Sequence, residues 1–393
     1  MSGATSGRGP RISATLRQGE AVKPLELFFD LVFVLAITQC TALMADNPTW
    51  EGLAQGLLVL AVLWWAWVGY AWLTSVVDPE EGAVRFAIFA AMAAMLVVGL
   101  AVPEAFGDLG LLFAGAYAVV RVMHIALFSI ASRGDPELRR SVVGLAVSTA
   151  IGVGLLIAAS QTNHLLQGSL WALAILLDMG GPLVFGVEGW KLKPEHFAER
   201  HGLIMIIALG ESIVAIGIGA EAGVGAGEVV AAVAGIAVAC ALWWLYFDVV
   251  ALVAARRLMK ASVGREQNAI ARDSYSIIHL PMVAGIVLLA LGLKKTLEHV
   301  GDPLELEVAT AMLGGIAIYL LAHAAFRYRN IGRVSRMRIS AAGVLLALIP
   351  IATEISATLT VAAELVVLVI LIGAEVSRQG ELRERLRHQV STG

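Results

Sequence analysis

The sequence predicts an all-α fold, a polytopic bundle of transmembrane helices, and three observations support this class. Of the 393 residues, 59% are hydrophobic, and the 40 glycines raise the apolar share to about two-thirds, above the roughly 45–50% of a soluble domain. Only 15% of the residues are charged. Apolar runs of about 20 residues recur along the chain, and each is long enough to cross a ~30 Å hydrocarbon core as a helix.

The hydropathy pattern predicts twelve spans. In chain order they lie near residues 27–45, 53–73, 84–102, 109–131, 141–159, 168–187, 200–220, 228–251, 271–293, 305–327, 336–353 and 356–376. Turn-forming dipeptides such as Asp78-Pro79, Asp135-Pro136 and Asp302-Pro303 fall between these runs, which supports the count. Residues 1–24 form a polar N-terminal tail without an apolar stretch, so we expect no signal peptide.

The distribution of basic residues predicts the orientation. With the N-terminus inside, 25 of the 28 Lys and Arg residues fall in cytoplasmic segments. Because Lys and Arg are enriched in short cytoplasmic loops, this predicts that both termini are cytoplasmic. The arginine-rich segment 378–393 is then a basic cytoplasmic tail, which we expect to form a short helix against anionic lipid.

Short internal matches predict a duplication into two six-helix pseudo-repeats, residues 25–190 and 191–377, in the same orientation. The matched pairs are Leu63-Trp64-Trp65 with Leu242-Trp243-Trp244, His124 with His323, and Asp178 with Glu364. Six spans per half place corresponding helices in the same direction across the membrane, as in parallel transporter repeats. We expect the tryptophan pairs, which lie near span centres, to pack between helices.

Composition and motifs exclude several function classes. The net charge of −3 and the scattered basic residues give no basic face, so no nucleic-acid partner is expected. Cys40 and Cys240 both lie inside apolar runs and are too few for a thiolate zinc site. The run His196-x-x-Glu199-x-His201 matches no zinc-protease spacing. We therefore expect no metal site and no other cofactor.

Ionisable residues within the spans are the candidate functional residues, because such groups are costly in hydrocarbon and usually face the bundle interior. Glu26 and Asp30 lie four residues apart on one face of the first span. The structural alternative, which is equally consistent with the sequence, is that these acids lie at the start of the helix and pair with nearby arginines.

The seventh span carries further candidates. Glu199, His201, Glu211 and Ser212 lie along it, with His201 and Ser212 on one stripe and Glu211 about 90° further round. Glu211 lies near the midplane, where loss of hydration favours its protonated form and makes proton exchange feasible. A buried acid hydrogen-bonded to a neighbour is the structural alternative.

Spans 4 and 6 contribute Arg121, His124 and Asp178. Arg121 lies too deep to reach the interface readily and stays charged, so it needs a carboxylate partner. Asp178 and Glu211 lie at comparable depth, and we expect one of them within about 4 Å of the guanidinium. Gly180-Gly181-Pro182 after Asp178 predicts an irregular helix beside protein or a wet cavity.

Two segments resemble the bacterial low temperature requirement A family. They are Pro24-Leu25-Glu26-Leu27-Phe28-Phe29-Asp30-Leu31-Val32-Phe33-Val34 and His196-Phe197-Ala198-Glu199-Arg200-His201-Gly202, the latter followed by Ala208-Leu209-Gly210-Glu211-Ser212-Ile213. The resemblance covers about residues 20–380 and implies a multi-pass protein of the bacterial plasma (inner) membrane. The family name describes growth in the cold and implies no biochemical activity.

The first span alone is also similar to the first helix of endolysosomal potassium channels that carry an F-S-D motif. Here Phe29 replaces the serine and the seventh span lacks the motif, so the similarity favours a cation pathway without implying a pore.

Three functions remain open. The first is a transporter or channel-like protein, with the polar residues of spans 1, 4, 6 and 7 around a cavity between the halves for an ion, proton or small solute. The alternative is a membrane-embedded enzyme acting on a lipid or small apolar substrate with Glu211 or His201 as acid or base. The third is a structural or sensory protein. Expected partners are the lipid bilayer, an ion or small molecule and, as a further candidate, a second copy of the chain.

Overall fold

The computed structural model describes residues 21–186 and 189–391, and this part of the chain is helical without a named β-strand. The first half contains six long helices. They are α1 Pro24–Asp46, α2 Trp50–Val76, α3 Gly82–Ala101, α4 Gly110–Ala131, α5 Pro136–Ala159 and α6 His164–Val184. A 3₁₀ turn, Val102–Glu104, follows α3. The all-α class is therefore confirmed.

The second half is less regular. Its helices are α7 Pro194–Gly219, α8 Ala226–Phe247, α9 Val250–Lys260, α10 Arg265–Ile270, α11 His279–Glu298, α12 Leu306–Ile331, α13 Arg336–Ala352 and α14 Ala357–Ser391. A π-helix, Ala271–Ile277, joins α10 to α11. α9 is a short amphipathic helix that the span prediction missed, and α14 continues through the arginine-rich tail without a break.

Eleven helical segments in the described part are long and apolar enough to cross a membrane. Some of these segments combine consecutive helices, such as Ala226–Lys260, which contains α8 and α9. The one predicted span outside this set is 336–353, which corresponds to α13; it has 17 residues and therefore a length of about 25 Å. That length lies at the lower end of the range for a transmembrane helix. Arg336 and Arg338 at its first turn mark the end of its apolar part.

Sequential packing organises each half. In the first half α1 packs on α2 and α3, α3 on α4, α4 on α5, α5 on α6, and α2 on α6. In the second half α7 packs on α8 and α11, α11 on α12, α12 on α13, α13 on α14, and α8 on α14. The two halves meet where α1 and α2 pack on α7 and α11.

Glycine permits a close backbone contact between α11 and α12. A Cβ added to Gly285 would lie 2.4 Å from the Gly315 carbonyl oxygen, and one added to Gly315 would lie 2.7 Å from the Gly285 carbonyl oxygen. Such contacts, which are typical of membrane helices, let the two backbones approach each other directly. α11 and α12 are accordingly among the most buried spans in the described part.

Candidate functional site

The cytoplasmic starts of α1 and α7, by the predicted orientation, meet in a buried ionic network. Arg200 donates from Nη1 to Glu26 Oε1 at 3.0 Å and from Nη2 to Asp30 Oδ1 at 2.6 Å. His196 Nε2 lies 2.8 Å from Glu26 Oε1. All four side chains are at most 1% exposed. The contacts form because residues four apart on one helix face residues four apart on the other.

Helix α2 closes this network from a third side. Trp67 donates its indole N–H to Asp30 Oδ1 at 2.8 Å, and Arg200 Nη1 donates to Thr74 Oγ1 at 3.1 Å. The Arg200 guanidinium carbon also lies 5.6 Å from the centre of a Trp67 ring, within cation–π range. We call these six residues the Arg200 network; its members are Glu26, Asp30, Trp67, Thr74, His196 and Arg200.

The formal charges of the network leave room for one proton. Two carboxylates face a single guanidinium, so a proton on His196 or on one of the carboxyl groups makes the cluster neutral. Asp30 Oδ2 and Arg200 Nε have no hydrogen-bond partner among the described residues. Loss of that proton would leave a net charge of −1 in a buried cluster, which is energetically costly.

The network contains Glu26 and Asp30, the two candidate residues of span 1. Its residues from α7, His196 and Arg200, were not among the predicted site residues. The sequence pattern placed His196 in a rejected zinc motif, and Arg200 was named only within the family motif. Their i, i+4 spacing matches that of Glu26 and Asp30 and is the signal that could have identified them. Glu199 instead accepts a hydrogen bond from the Val22 backbone N–H at 3.3 Å, outside the buried cluster.

His201 lies in an aromatic layer next to the network. Its Nδ1 lies 2.8 Å from the Phe197 carbonyl oxygen, and its Nε2 has no partner in the described part. Its ring centre is 4.9 Å from that of Trp67 and 5.3 Å from that of His279. His279 in turn contacts the Tyr246 hydroxyl at 2.8 Å. This layer joins α2 of the first half to α8 and α11 of the second.

A groove of about 810 Å³ lies beside this layer, between α7, α8, α9 and the π-helix. Tyr246 and Tyr275 line its inner part, and Glu199 and Arg256 contribute polar groups to its wall. The amphipathic helix α9 forms one wall of this groove, to which it contributes Ala251, Leu252 and Met259. Glu199 is therefore a groove residue, not a member of the buried network.

Glu211 lies further along the same pair of helices. The Thr38 hydroxyl on α1 donates to Glu211 Oε2 at 2.6 Å, and Glu211 is 2% exposed. Eleven residues separate Glu211 from Arg200, or about 16 Å along α7. The neighbouring Ser212 hydroxyl is fully buried without a partner among the described residues. Polar groups thus recur along the α1–α7 contact beyond the Arg200 network.

Arg121 has the carboxylate partner that its depth requires, and that partner is Asp178. The guanidinium makes a bidentate pair at 3.1 and 3.2 Å. The Thr149 hydroxyl accepts from Arg121 at 2.6 Å and donates to Asp178 at 2.8 Å, and the Tyr117 hydroxyl accepts from Arg121 at 3.2 Å. Glu211 is not involved. His124 lies one turn along α4, where its ring packs against Gly69.

The second half carries a related ionic pair at a different position. Arg338 on α13 binds Glu375 on α14 through two hydrogen bonds of 2.9 Å each, and its Nη1 lies 2.6 Å from His323 Nδ1. Glu364, matched to Asp178 in the sequence, is fully buried, and neither of its oxygens has a partner among the described residues. The matched acids therefore have different surroundings.

Two sequence expectations need correction. The polar residues of spans 1, 4, 6 and 7 do not surround one cavity: the pair Arg121–Asp178 lies within the first half, whereas Glu26, Asp30 and Glu211 lie where the halves meet. The tryptophan pairs also differ. Trp64 and Trp65 are buried, but Trp243 is 45% exposed and Trp244 is 37% exposed on the outer surface.

Asp135, outside the membrane spans, caps α5. Its carboxylate accepts from the Leu138 backbone N–H at 3.2 Å and pairs with Lys191 Nζ at 2.9 Å. The hydrogen bond from Lys191, with that from Leu138, lowers the pKa of Asp135. The pair ties the loop before α5 to the segment that leads into α7.

This fold defines a multi-pass helical membrane protein whose halves meet at a buried ionic network. The family model for the bacterial low temperature requirement A protein matches residues 21–373, so the chain belongs to this family, which confirms the resemblance of the two motifs. An uncharacterized protein of Rhizobium meliloti (strain 1021) is 32% identical over 307 residues, covering 75% of this chain and 74% of the relative. No solved structure matches the chain.

Proposed function

We propose that the protein is a transporter or channel-like protein that moves protons or small monovalent cations along the α1–α7 contact. The observation that carries this proposal is the series of buried ionisable groups on these two helices. Glu26, Asp30, His196 and Arg200 form one cluster, and Glu211 lies about 16 Å further along. Acidic groups inside a membrane protein are typical of ion and proton pathways because they bind cations or protons away from water.

The composition of the Arg200 network supports proton exchange. A purely structural ion pair needs one acid and one base, whereas this network has two acids for one arginine and an additional histidine. Because of the extra acid, the net charge of the cluster depends on whether it holds a proton.

The proposed architecture is a duplication, with residues 25–190 and 191–377 as repeats in the same orientation and both termini in the cytoplasm. Support comes from the packing order, because six helix contacts of the first half recur in the second when α7, α8, α11, α12, α13 and α14 are taken as its six spans. In this arrangement α1 and α7 are corresponding helices. The proposed pathway therefore follows the axis that relates the repeats.

Flux measurements on purified protein in liposomes test this function. A potassium diffusion potential set by valinomycin drives protons inward, and an internal pH-sensitive dye reports their entry. We expect selective flux with the parent and a loss to below about one-tenth with Glu211→Gln, which removes the ionisable group at similar volume. Glu51→Gln, an exposed acid at the start of α2, is the matched control and should retain parental flux.

A parent protein that reconstitutes correctly but carries neither protons nor Na⁺ nor K⁺ would exclude the proposal. Parental flux in Glu211→Gln would exclude the α1–α7 route.

A further inference from the structure

A pocket of about 250 Å³ lies at one end of the second half, where α8, α12, α13 and α14 meet beside α9. We call it the arginine pocket, because Arg327, Arg333 and Arg338 line it. It shares no lining residue with the groove beside the aromatic layer. By the predicted orientation it lies at the cytoplasmic ends of these spans, at the level of the lipid headgroups.

The inner wall of the arginine pocket is a satisfied ion pair. Arg338 on α13 is 2% exposed and donates to Glu375 on α14 through two hydrogen bonds of 2.9 Å each. It also donates to the Leu245 carbonyl oxygen on α8 at 3.3 Å. Arg338 thus joins three of the helices that form the pocket, and Glu375 balances its charge. These bonds hold the wall in place before any ligand binds, which lowers the cost of ordering it.

The other two arginines reach the pocket from the end of α12. Arg327 lies in the last two turns of this helix and is partly exposed, and Arg333 is exposed just beyond its end. α12 ends at Ile331 because Gly332 adopts the left-handed conformation, with φ at 72°, and turns the chain toward α13. Both side chains line the pocket and retain accessible surface, so a ligand in the pocket can contact them.

The charges of the lining favour an anion. None of the described acids forms an ion pair with Arg327 or Arg333. Arg327 interacts electrostatically with the other two arginines and with one acid, Glu375, which Arg338 already binds. Asp248 is the second acid of the lining, so three arginines face two carboxylates, a net charge of +1. This excess positive charge attracts an anionic group.

The remaining wall is apolar and continues onto the outer surface of the bundle. Trp244, Ile331 and Val376 line the pocket and are each 37–44% exposed. Exposed apolar side chains beside a basic pocket in a membrane protein are typical of a contact with lipid. A pocket of this volume admits a headgroup but cannot enclose two acyl chains, so the chains of a bound lipid lie outside it, along this apolar surface.

We propose that the arginine pocket binds the headgroup of one anionic phospholipid from the adjacent leaflet. The phosphate oxygens accept hydrogen bonds from Arg327 and Arg333, whose planar guanidinium groups match the geometry of a phosphate. A zwitterionic phospholipid carries the same phosphate, but its cationic group adds positive charge to a lining that is already positive, so an anionic headgroup binds more tightly. The pocket is separate from the α1–α7 contact, and the proposal does not depend on the proposed transport function.

Native mass spectrometry of the purified full-length protein in detergent micelles tests this site. The protein is titrated with dioleoyl phosphatidylglycerol or with dioleoyl phosphatidylcholine, and the spectra count the bound lipid molecules. We expect one phosphatidylglycerol to bind at least about tenfold more tightly than phosphatidylcholine, because a basic residue near a membrane surface is worth about fivefold in affinity for anionic lipid. Arg327→Gln and Arg333→Gln should each lower this preference about fivefold. Arg333→Lys, which keeps the charge, should retain most of it.

Two controls define the site. Arg139→Gln removes an exposed arginine from the first turn of α5 and should leave the lipid preference unchanged. Inorganic phosphate, added at the concentration of the lipid, distinguishes a lipid site from a site for a soluble anion. We expect it not to displace phosphatidylglycerol, because it lacks the acyl chains that contact the apolar wall.

Four outcomes would overturn the inference: equal affinity for the two lipids, displacement by inorganic phosphate, parental preference in folded Arg333→Gln, or an equal loss in Arg139→Gln. Arg333 is exposed, so Arg333→Gln still decides the question if Arg327→Gln does not fold. Because binding is measured without flux, failure here is distinguishable from failure of the transport proposal.

Discussion

Replacing Arg200 with Met tests the most heavily buried charge cluster of the protein. Arg200 hydrogen-bonds to Glu26, Asp30 and Thr74 and is fully buried. Without the guanidinium, Asp30 retains only the Trp67 N–H as a described partner. Removing one partner of a buried ion pair costs about 3–5 kcal/mol because the other charge stays behind unpaired. We expect Arg200→Met to lower the free energy of unfolding by this amount.

A double-mutant cycle separates the pair from general damage. Asp30→Asn alone leaves Arg200 with one fewer acid and should also destabilise, while the double variant removes both charges. We expect the double variant to be more stable than the sum of the single losses predicts, by about 2 kcal/mol. Arg200→Lys should fall between parent and Arg200→Met, because an ammonium group cannot reproduce the fork that bridges Glu26 and Asp30.

The assay is reversible unfolding in mixed detergent micelles, followed by circular dichroism. The exposed pair Arg257–Glu266 on the same side of the protein is the control, and Arg257→Gln should cost less than about 1 kcal/mol. A loss of under about 1 kcal/mol for Arg200→Met, or strict additivity in the cycle, would refute the argument that these charges stabilise one another.

Three further predictions follow from the structure. Arg121→Leu and Asp178→Asn should each cost about 3–5 kcal/mol and their combination much less than the sum, whereas additive losses would contradict a direct pair. Because Lys191 lowers the folded-state pKa of Asp135, the pair stabilises the protein above the ordinary Asp pKa and loses this contribution as pH falls through the lowered value. Asp135→Ala should therefore reduce stability by about 1 kcal/mol at pH 7 and by less in acid, and a pH-independent loss would count against this pairing. A cysteine at His299, with the native cysteines replaced, should react with an impermeant thiol reagent in intact cells, and labelling only after lysis would reverse the predicted topology.

Hydropathy predicted the helices well because a membrane span must be apolar over its whole length. α9 was missed for the same reason: Arg256, Arg257 and Lys260 interrupt its apolar pattern, and a window suited to spans does not detect an 11-residue amphipathic helix. Trp243 and Trp244 show a second limit of prediction from hydropathy. Their position within an apolar run predicted that they belong to a helix, but hydropathy does not distinguish a helix face packed inside from one on the outer surface.

The site was predicted only in part. Glu26 and Asp30 stand out because acids within an apolar run are rare. Arg200 does not, because a basic residue at a cytoplasmic helix start is ordinary by the positive-inside rule. Its burial depends on contacts of α7 with α1 and α2, and α7 begins more than a hundred residues after α2 ends. Packing between segments distant in the chain therefore places Arg200 at the centre of the network.

Arg121 illustrates the difference between what the sequence determines and what the tertiary structure decides. The sequence by itself determined that the chain is a membrane protein, that Arg121 lies too deep to reach water and that a carboxylate must compensate it, because these follow from position along the membrane normal. Only the tertiary structure decided that Asp178 is that carboxylate and that Glu211 binds Thr38 instead. Hydropathy fixes the depth of a residue in the membrane. Residues at the same depth contact each other only if their helices are neighbours and are rotated to face one another. That arrangement depends on how the side chains of the helices fit together.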